Sequence, residues 1–305
     1  MASSRLSPPE ADSHNAVMLD RLRLLRWRLA HPDLDRVRRE VIRRALADPR
    51  YQSDAEMRAA VALISRQPLR HVLFPAQPAP RIGVGDVQWD ASEGLHFVLH
   101  RGHRLYWHEG ARPKDVARGY AGLVTEQQAG SPHCYCEGDF GVPDGAVVAD
   151  LGAAEGIFSL DVVERARRVH LFECGAMWRR ALAATFRPWG DKVVRHECLV
   201  GRVGQAGCVA IDELLRDEEA PDFYKLDIEG AEGDALHGAT ATLARARAPR
   251  IAVCAYHRQQ DEADLTHQLQ ELGFRVHASR GWVLLYRSPE FGEPYFRRGV
   301  LRAER

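Results

Sequence analysis

The run Val147–Gly156, VVADLGAAEG, ends an apolar stretch in an acid and follows it with two glycines. A short apolar run, a glycine pair and a helical pattern from Ile157 predict a buried strand, a tight turn and a helix N-terminus. Gly152 and Gly156 lack a Cβ, which lets backbone and ligand come close. An acid rather than a lysine accompanies them. G-x-x-x-x-G-K-[ST] is absent, which argues against a triphosphate cradle, and so is a full G-x-G-x-x-G, which weakens a dinucleotide reading. Asp150 and Glu155 suit a ligand with a positive centre and amine or hydroxyl donors. S-adenosylmethionine, with its sulfonium, ammonium and ribose, is such a ligand.

More acids follow at the ends of later apolar runs. Glu173 lies seventeen residues after Gly156, where a carboxylate accepts hydrogen bonds from ribose hydroxyls. Asp227, Glu229 and Glu232 put three carboxylates within six residues. Crowded like charges raise one another's pKa unless a cation sits among them. A sulfonium, a substrate amine or a divalent metal fits that need, and Lys225 is close enough in sequence to pair structurally. Glu232 is equally placed to favour a helix N-terminus, a structural role worth about 0.3–1 kcal/mol. His257 follows another apolar run, with Asp261 four residues on. Its ordinary pKa suits a general base, and Asp261 could orient the ring. The catalytic candidates are therefore His257, Asp227 and Asp261. The cofactor-binding candidates are Asp150, Gly152, Ala153, Glu155, Gly156, Glu173, Asp227 and His133. No metal site is expected; magnesium, if present, would fall to Asp227 and Glu229. The run His133-Cys134-Tyr135-Cys136 lacks a second cysteine pair at zinc spacing, and there is no G-x-S-x-G elbow.

These residues need a frame. Strands are expected at Val147–Leu151, Arg168–Glu173, Val193–Leu199, Phe223–Asp227 and Ile251–Tyr256. Helices are expected at Ile157–Ala166, Ala176–Phe186, Ile211–Arg216, Glu232–Arg245 and Glu262–Leu272. Such alternation implies a parallel sheet covered on both faces, with ligands beyond the carboxyl ends of the strands. Arg275–Ala278 and Trp282–Tyr286, around Arg280-Gly281, read as a closing antiparallel hairpin. Upstream, residues 1–15 are polar and read as disordered, while Val17 to Gln67 is helical by its apolar spacing. Residues 75–81 hold three prolines and read as a linker. Leu95–Leu99 and Arg104–His108 form a hairpin, Lys114–Gln128 a helix, and Pro132–Gly145 a loop. The expected organisation is a helical extension over 1–80 acting as lid or dimer contact, a lead-in over 81–145, and a cofactor-binding domain over 146–305.

The chain has 305 residues, 45% hydrophobic and 28% charged, with a formal net charge of zero. The absence of a basic surplus lowers the expectation of nucleic-acid binding. Six scattered cysteines make no disulfide scaffold. With no signal-peptide pattern and no membrane-length apolar run, the expectation is a protein of a reducing cytoplasm with no membrane partner.

Together these residues resemble the FkbM family of S-adenosylmethionine-dependent methyltransferases. The likeness rests on ADLGAAEGIFSL at 149–160, HLFE ending at Glu173, WRRALAATFRPWGDKV at 178–193, KLDIEGAE at 225–232, CAYHRQQD at 254–261 and PYFRRGVLRA at 294–303. It implies a class I methyltransferase-like (Rossmann-like) α/β fold: a seven-stranded, mostly parallel sheet with a C-terminal antiparallel hairpin, preceded by the helical region. It further implies that Asp150, Gly152 and Gly156 cradle the methionine part of the cofactor. Glu173 would hold the ribose, and Asp227 would lie at the cofactor–substrate boundary. Studied members are similar in methylating hydroxyls of sugars or natural-product intermediates. Some relatives use magnesium on strand-end carboxylates, but Tyr256-His257 here departs from that and favours a histidine base. A protein or peptide methyltransferase and a nicotinamide-dependent oxidoreductase are the alternatives. A small-molecule substrate is expected, with a homodimer through the N-terminal helices as a possible assembly.

Overall fold

The computed structural model describes residues 23–69, 72–286 and 292–305. The segment expected to be disordered, residues 1–15, lies outside these. The N-terminal helices break where the sequence tells them to. Residues 23–30 form α1. Pro32 and Pro49 open α2 (Pro32–Ala47) and α3 (Pro49–Ser53), where a missing N–H leaves no bond unmade. Asp48 accepts from the amide of Arg50 at 2.8 Å and Asp54 from that of Met57 at 2.7 Å, capping α3 and α4 (Ala55–Arg66). Trp27, Val41, Met57, Val61 and Ile64 pack together, and Trp282, Leu284 and Phe296 from the far end of the chain complete their core.

After β1 (Leu73–Phe74), the proline-rich segment carries no regular structure. The expected hairpin is present with one added strand: β2 (Gln88–Asp90), β3 (Leu95–His100) and β4 (His103–Tyr106) form an antiparallel sheet. Helix α5 (Pro113–Glu126) then leads into the loop bearing His133 and Tyr135.

The main sheet starts at β5 (Val147–Leu151), followed by α6 (Ile157–Val162), β6 (Arg168–Phe172), α7 (Arg179–Phe186), β7 (Val193–His196), α8 (Ile211–Leu214) and β8 (Phe223–Leu226). It continues through α9 (Glu232–His237), α10 (Thr240–Arg245), β9 (Arg250–Cys254), α11 (Asp261–Glu271) and β10 (Arg275–Ala278). The chain ends with β11 (Trp282–Val283) and β12 (Val300–Glu304). Seven strands line up as β10-β12-β9-β8-β5-β6-β7, with β5 to β9 parallel and β12 antiparallel to both neighbours. All five residues of β5 are buried. Val148 enters one core, and Ala149 and Leu151 the other, so both faces of the sheet are covered. This is the class I methyltransferase-like, Rossmann-like arrangement. Its order reverses between β5 and β8, which places a ligand crevice at their carboxyl ends.

The closing antiparallel pair differs from the expected one. Arg275–Ala278 pairs with Val300–Glu304, while Trp282–Val283 pairs with Leu73–Phe74. Gly281 fits the chain to this path. Its amide donates to Glu56 at 2.6 Å, and a Cβ there would lie 2.2 Å from the carbonyl oxygen of Phe74. The turn thus sends the chain towards the N-terminal helices, where Arg298 covers the Trp282 ring at 3.8 Å. Among the described residues no helix is long and apolar enough to cross a membrane.

Candidate active site

The turn after β5 is shaped by the chain itself. Gly152 has φ +78°, and a Cβ there would lie 1.9 Å from the carbonyl oxygen of Asp227. Gly156 has φ +90° and packs against the Phe186 ring, 2.7 Å from where its Cβ would be. Both glycines are therefore required by protein contacts. Gly152→Ala is expected to cost more than the roughly 1–2 kcal/mol of left-handed strain, because the opposing atom is backbone; thermal unfolding reads the loss.

Glu173, just past β6, is fastened by two amides: Ala154 N donates to it at 2.8 Å and Gly175 N at 2.6 Å. Its carboxylate borders a cavity of about 370 Å³ at the carboxyl rim, shared with Gly152, Ala154, Trp178 and Asp227. That volume lies within the range of small-molecule sites. No residue of the N-terminal helices lines this cavity. Among the described residues these helices pack on the segment around Trp282 and Phe296. Ala153 faces the core.

Asp150 does not reach the cavity. It is fully buried, accepts from Ser159 Oγ at 2.7 Å, and lies 3.1 Å from Lys225 Nζ. The register explains the pairing, because Asp150 of β5 sits directly opposite Lys225 of β8. Lys225 also donates to the carbonyls of Leu151 and Gly152. Burial alone would lower its pKa, but Asp150 and Asp227 more than offset that and raise it. Asp150 thus holds the turn from behind rather than touching a cofactor. Glu155 is buried as well, and burial pushes its carboxyl up to about 7.

Asp227, just past β8, is where the side chains converge. Tyr135 donates to it at 2.7 Å and Tyr256 at 3.5 Å. His257 Nε2 lies at 3.3 Å and His133 Nε2 at 3.7 Å. Burial opposes its charge, but the hydrogen bond from His257 and the neighbouring positive charges hold the carboxyl far below the usual range. Glu126, at the end of α5, is pushed up to about 7 by burial and by the charges of Asp227 and Glu155.

The role expected of His257 needs correction. Its Nδ1 lies 3.0 Å from Glu232, opposite the contact with Asp227. Burial would lower its pKa, but the two carboxylates overcome this and push it up to about 10. An imidazolium at neutral pH has no lone pair with which to take a proton. Asp261 does not orient the ring either; it accepts from the Arg258 amide at 2.6 Å at the start of α11. Glu232 stands as the charge partner beside Nδ1 while accepting from the amides of Ile228 and Gly230. Because the folded pKa of His257 exceeds the ordinary 6.5, its stabilising share is complete below that pH and is lost as pH rises through the folded value. His257→Gln is expected to flatten the fall in unfolding free energy between about pH 7 and 10, as read by urea titrations across that range.

Residues 205–276 match the family model described as the methyltransferase FkbM domain. The FkbM resemblance holds there. No curated protein matches the chain. Among solved structures, the FkbM methyltransferase of Methylobacillus flagellatus KT is similar at 24% identity over 53% of this chain and 44% of that one, with a TM-score of 0.41. The match therefore spans less than half the length of that FkbM protein. Precorrin 8W decarboxylase of Methanobacterium thermoautotrophicum matches at 18% identity over 54% of this chain and 81% of that one, TM-score 0.36. Magnesium protoporphyrin IX methyltransferase of Synechocystis PCC 6803 matches at 19% identity over 53% and 71%, TM-score 0.33.

Magnesium fits this FkbM-like site poorly. Glu229 is 92% exposed, and the His257 cation already occupies the approach to Asp227. His133, Asp227 and Cys254 also bring donor atoms within 4.8 Å of one another. There, however, the Gln127 amide nitrogen faces His133 Nδ1 at 3.4 Å, while its oxygen is taken by the Tyr135 amide. That leaves the proton of neutral His133 on Nε2, pointing at Tyr256 Oη 2.8 Å away. Sequence reasoning missed Tyr135, Glu126 and the double contact of His257. Tyr135 and Glu126 lie in a loop and at a helix end before the glycine turn, and no motif marks them.

Proposed function

We propose that the chain is an S-adenosylmethionine-dependent methyltransferase acting on a hydroxyl of a small molecule. One observation carries the reading: the Glu173 carboxylate, pinned by two backbone amides, borders a rim cavity that also reaches Asp227. The cavity suits the nucleoside chemically. Glu173 offers fixed acceptors to ribose hydroxyls, and Trp178 offers an apolar wall. When bound, the cofactor supplies an electrophilic methyl on a sulfonium.

Asp227 accepts the hydrogen bond of the acceptor hydroxyl and takes its proton as the oxygen becomes positive. An oxonium is a far stronger acid than a carboxylic acid, so a carboxylate of depressed pKa suffices for a late proton transfer. The His257 cation and the Tyr135 hydroxyl hold that carboxylate in place, a positioning contribution of the kind that lowers barriers without new chemistry.

Incubation with methyl-labelled cofactor and a metabolite extract, with and without chelator, tests the reading by mass spectrometry. The expected result is one or more hydroxylated compounds gaining a methylene in both arms. Label transfer only to protein, or none, would contradict it. Glu173→Ala is expected to weaken S-adenosylhomocysteine binding in calorimetry, since the ribose loses both acceptors; unchanged affinity would remove Glu173 from the site.

A further inference from the structure

The side of the rim cavity formed by β6 and β7 carries two free thiols, Cys174 and Cys198. Strand register brings them together. Phe172 pairs with His196 across the parallel strands, and their rings stack with centroids 4.4 Å apart. The Glu173 amide donates to the carbonyl of His196 at 3.1 Å, closing the last rung of the ladder at the end of β6. Extended two residues past the ends of β6 and β7, the same register would set Cys174 across from Cys198. Side chains alternate along a strand, so both thiols share the face of the stacked rings. Neighbouring strands lie about 4.8 Å apart, inside the roughly 4.4–6.8 Å between Cα atoms that a disulfide bridges. Burial first, then the nearby Cys174 and Cys208 thiols, raise the pKa of Cys198.

We propose that Cys174 and Cys198 form a covalent modification site, a dithiol on the β6–β7 wall of the cofactor cavity that oxidises to a disulfide and closes that side to the nucleoside. Cys174 is exposed and Cys198 half-buried, so a small disulfide such as oxidised glutathione meets Cys174 first. The Cys174 thiolate attacks one glutathione sulfur, breaking the S–S bond and releasing one glutathione thiol. The Cys198 thiolate then attacks the Cys174 sulfur of the mixed disulfide and expels the second. Two protein thiols give up their protons, two glutathione thiols gain them, and one protein S–S bond forms. Glu173 precedes Cys174 and is tied to the Gly175 amide. A bridge on Cys174 therefore acts on the residue next to the carboxylate that faces the cavity and alters its setting. The effect on the nucleoside rests on the methyl-transfer reading; the bridge itself does not.

The full chain is incubated with oxidised glutathione, blocked, digested and mapped by mass spectrometry. S-adenosylhomocysteine binding is measured by calorimetry before oxidation, after it, and after dithiothreitol. The expected result is a Cys174–Cys198 cross-linked peptide and loss of binding that dithiothreitol restores. Cys198→Ser is expected to stop at a glutathione adduct on Cys174, and Cys174→Ser to keep its binding under oxidant. A Cys198–Cys208 bridge, no bridge, or a Cys174–Cys198 bridge with undiminished binding would overturn the proposal. If the reduced protein bound no S-adenosylhomocysteine, the cofactor reading and the closure would fall together, while the peptide map would still decide the bridge.

Discussion

Replacing Lys225 with methionine is expected to lower the unfolding free energy by about 3–5 kcal/mol. Lys225 is the cation 3.1 Å from Asp150, and both side chains are buried. Methionine fills similar volume, so the loss is electrostatic and not a cavity. It leaves the Asp150 carboxylate with Ser159 alone and takes the lysine donor from the Gly152 carbonyl, while the Leu151 carbonyl keeps the Asp227 amide. Taking the charge off Asp150 as well, in Asp150→Asn with Lys225→Met, is expected to recover much of the stability, because the uncompensated charge carries most of the penalty. Urea unfolding of the two variants checks both statements. A single variant within about 1 kcal/mol of the parent would show that the turn does not depend on this pair.

Asp227→Asn is expected to cut turnover by about 10²–10⁴ while changing S-adenosylhomocysteine affinity much less. Asparagine keeps the shape but removes the charge facing His257, and it puts an NH2 where a hydroxyl must donate. The same change removes one of the two carboxylates that raise the pKa of His257. That pKa is therefore expected to fall from about 10 towards its ordinary value, read by NMR titration of the imidazole. Lost turnover with an unmoved His257 would separate Asp227 from the histidine. Retained turnover would remove Asp227 from proton transfer.

Strand–helix alternation was legible from Val147 onward because parallel strands buried on both faces read as short apolar runs, and β5, β6, β8 and β9 all do. The rim position of Glu173 followed from the same logic. Which acid meets the cavity was not legible. Asp150 and Glu173 both end apolar runs, and only the register that sets Asp150 against Lys225 across two strands withdraws one of them from the surface. His257 posed a similar problem. Spacing offered Asp261 as its partner, but the start of α11 uses that carboxylate, and Glu232 reaches the ring from another helix. A charged histidine arises from two carboxylates meeting in space, which no local pattern records. The closing strand was misplaced for a simpler reason. Arg280-Gly281 is good hairpin sequence, but the buried site for Trp282 lies under the N-terminal helices, and tertiary burial overrides the local preference.

A crystal structure of the reduced protein with S-adenosylhomocysteine tests the central claim most directly. The ribose hydroxyls are expected within hydrogen-bonding distance of Glu173, with the sulfur facing Asp227 and Asp150 still buried against Lys225. A nucleoside bound away from the carboxyl ends of β5, β6 and β8, with Glu173 left to solvent, would contradict it.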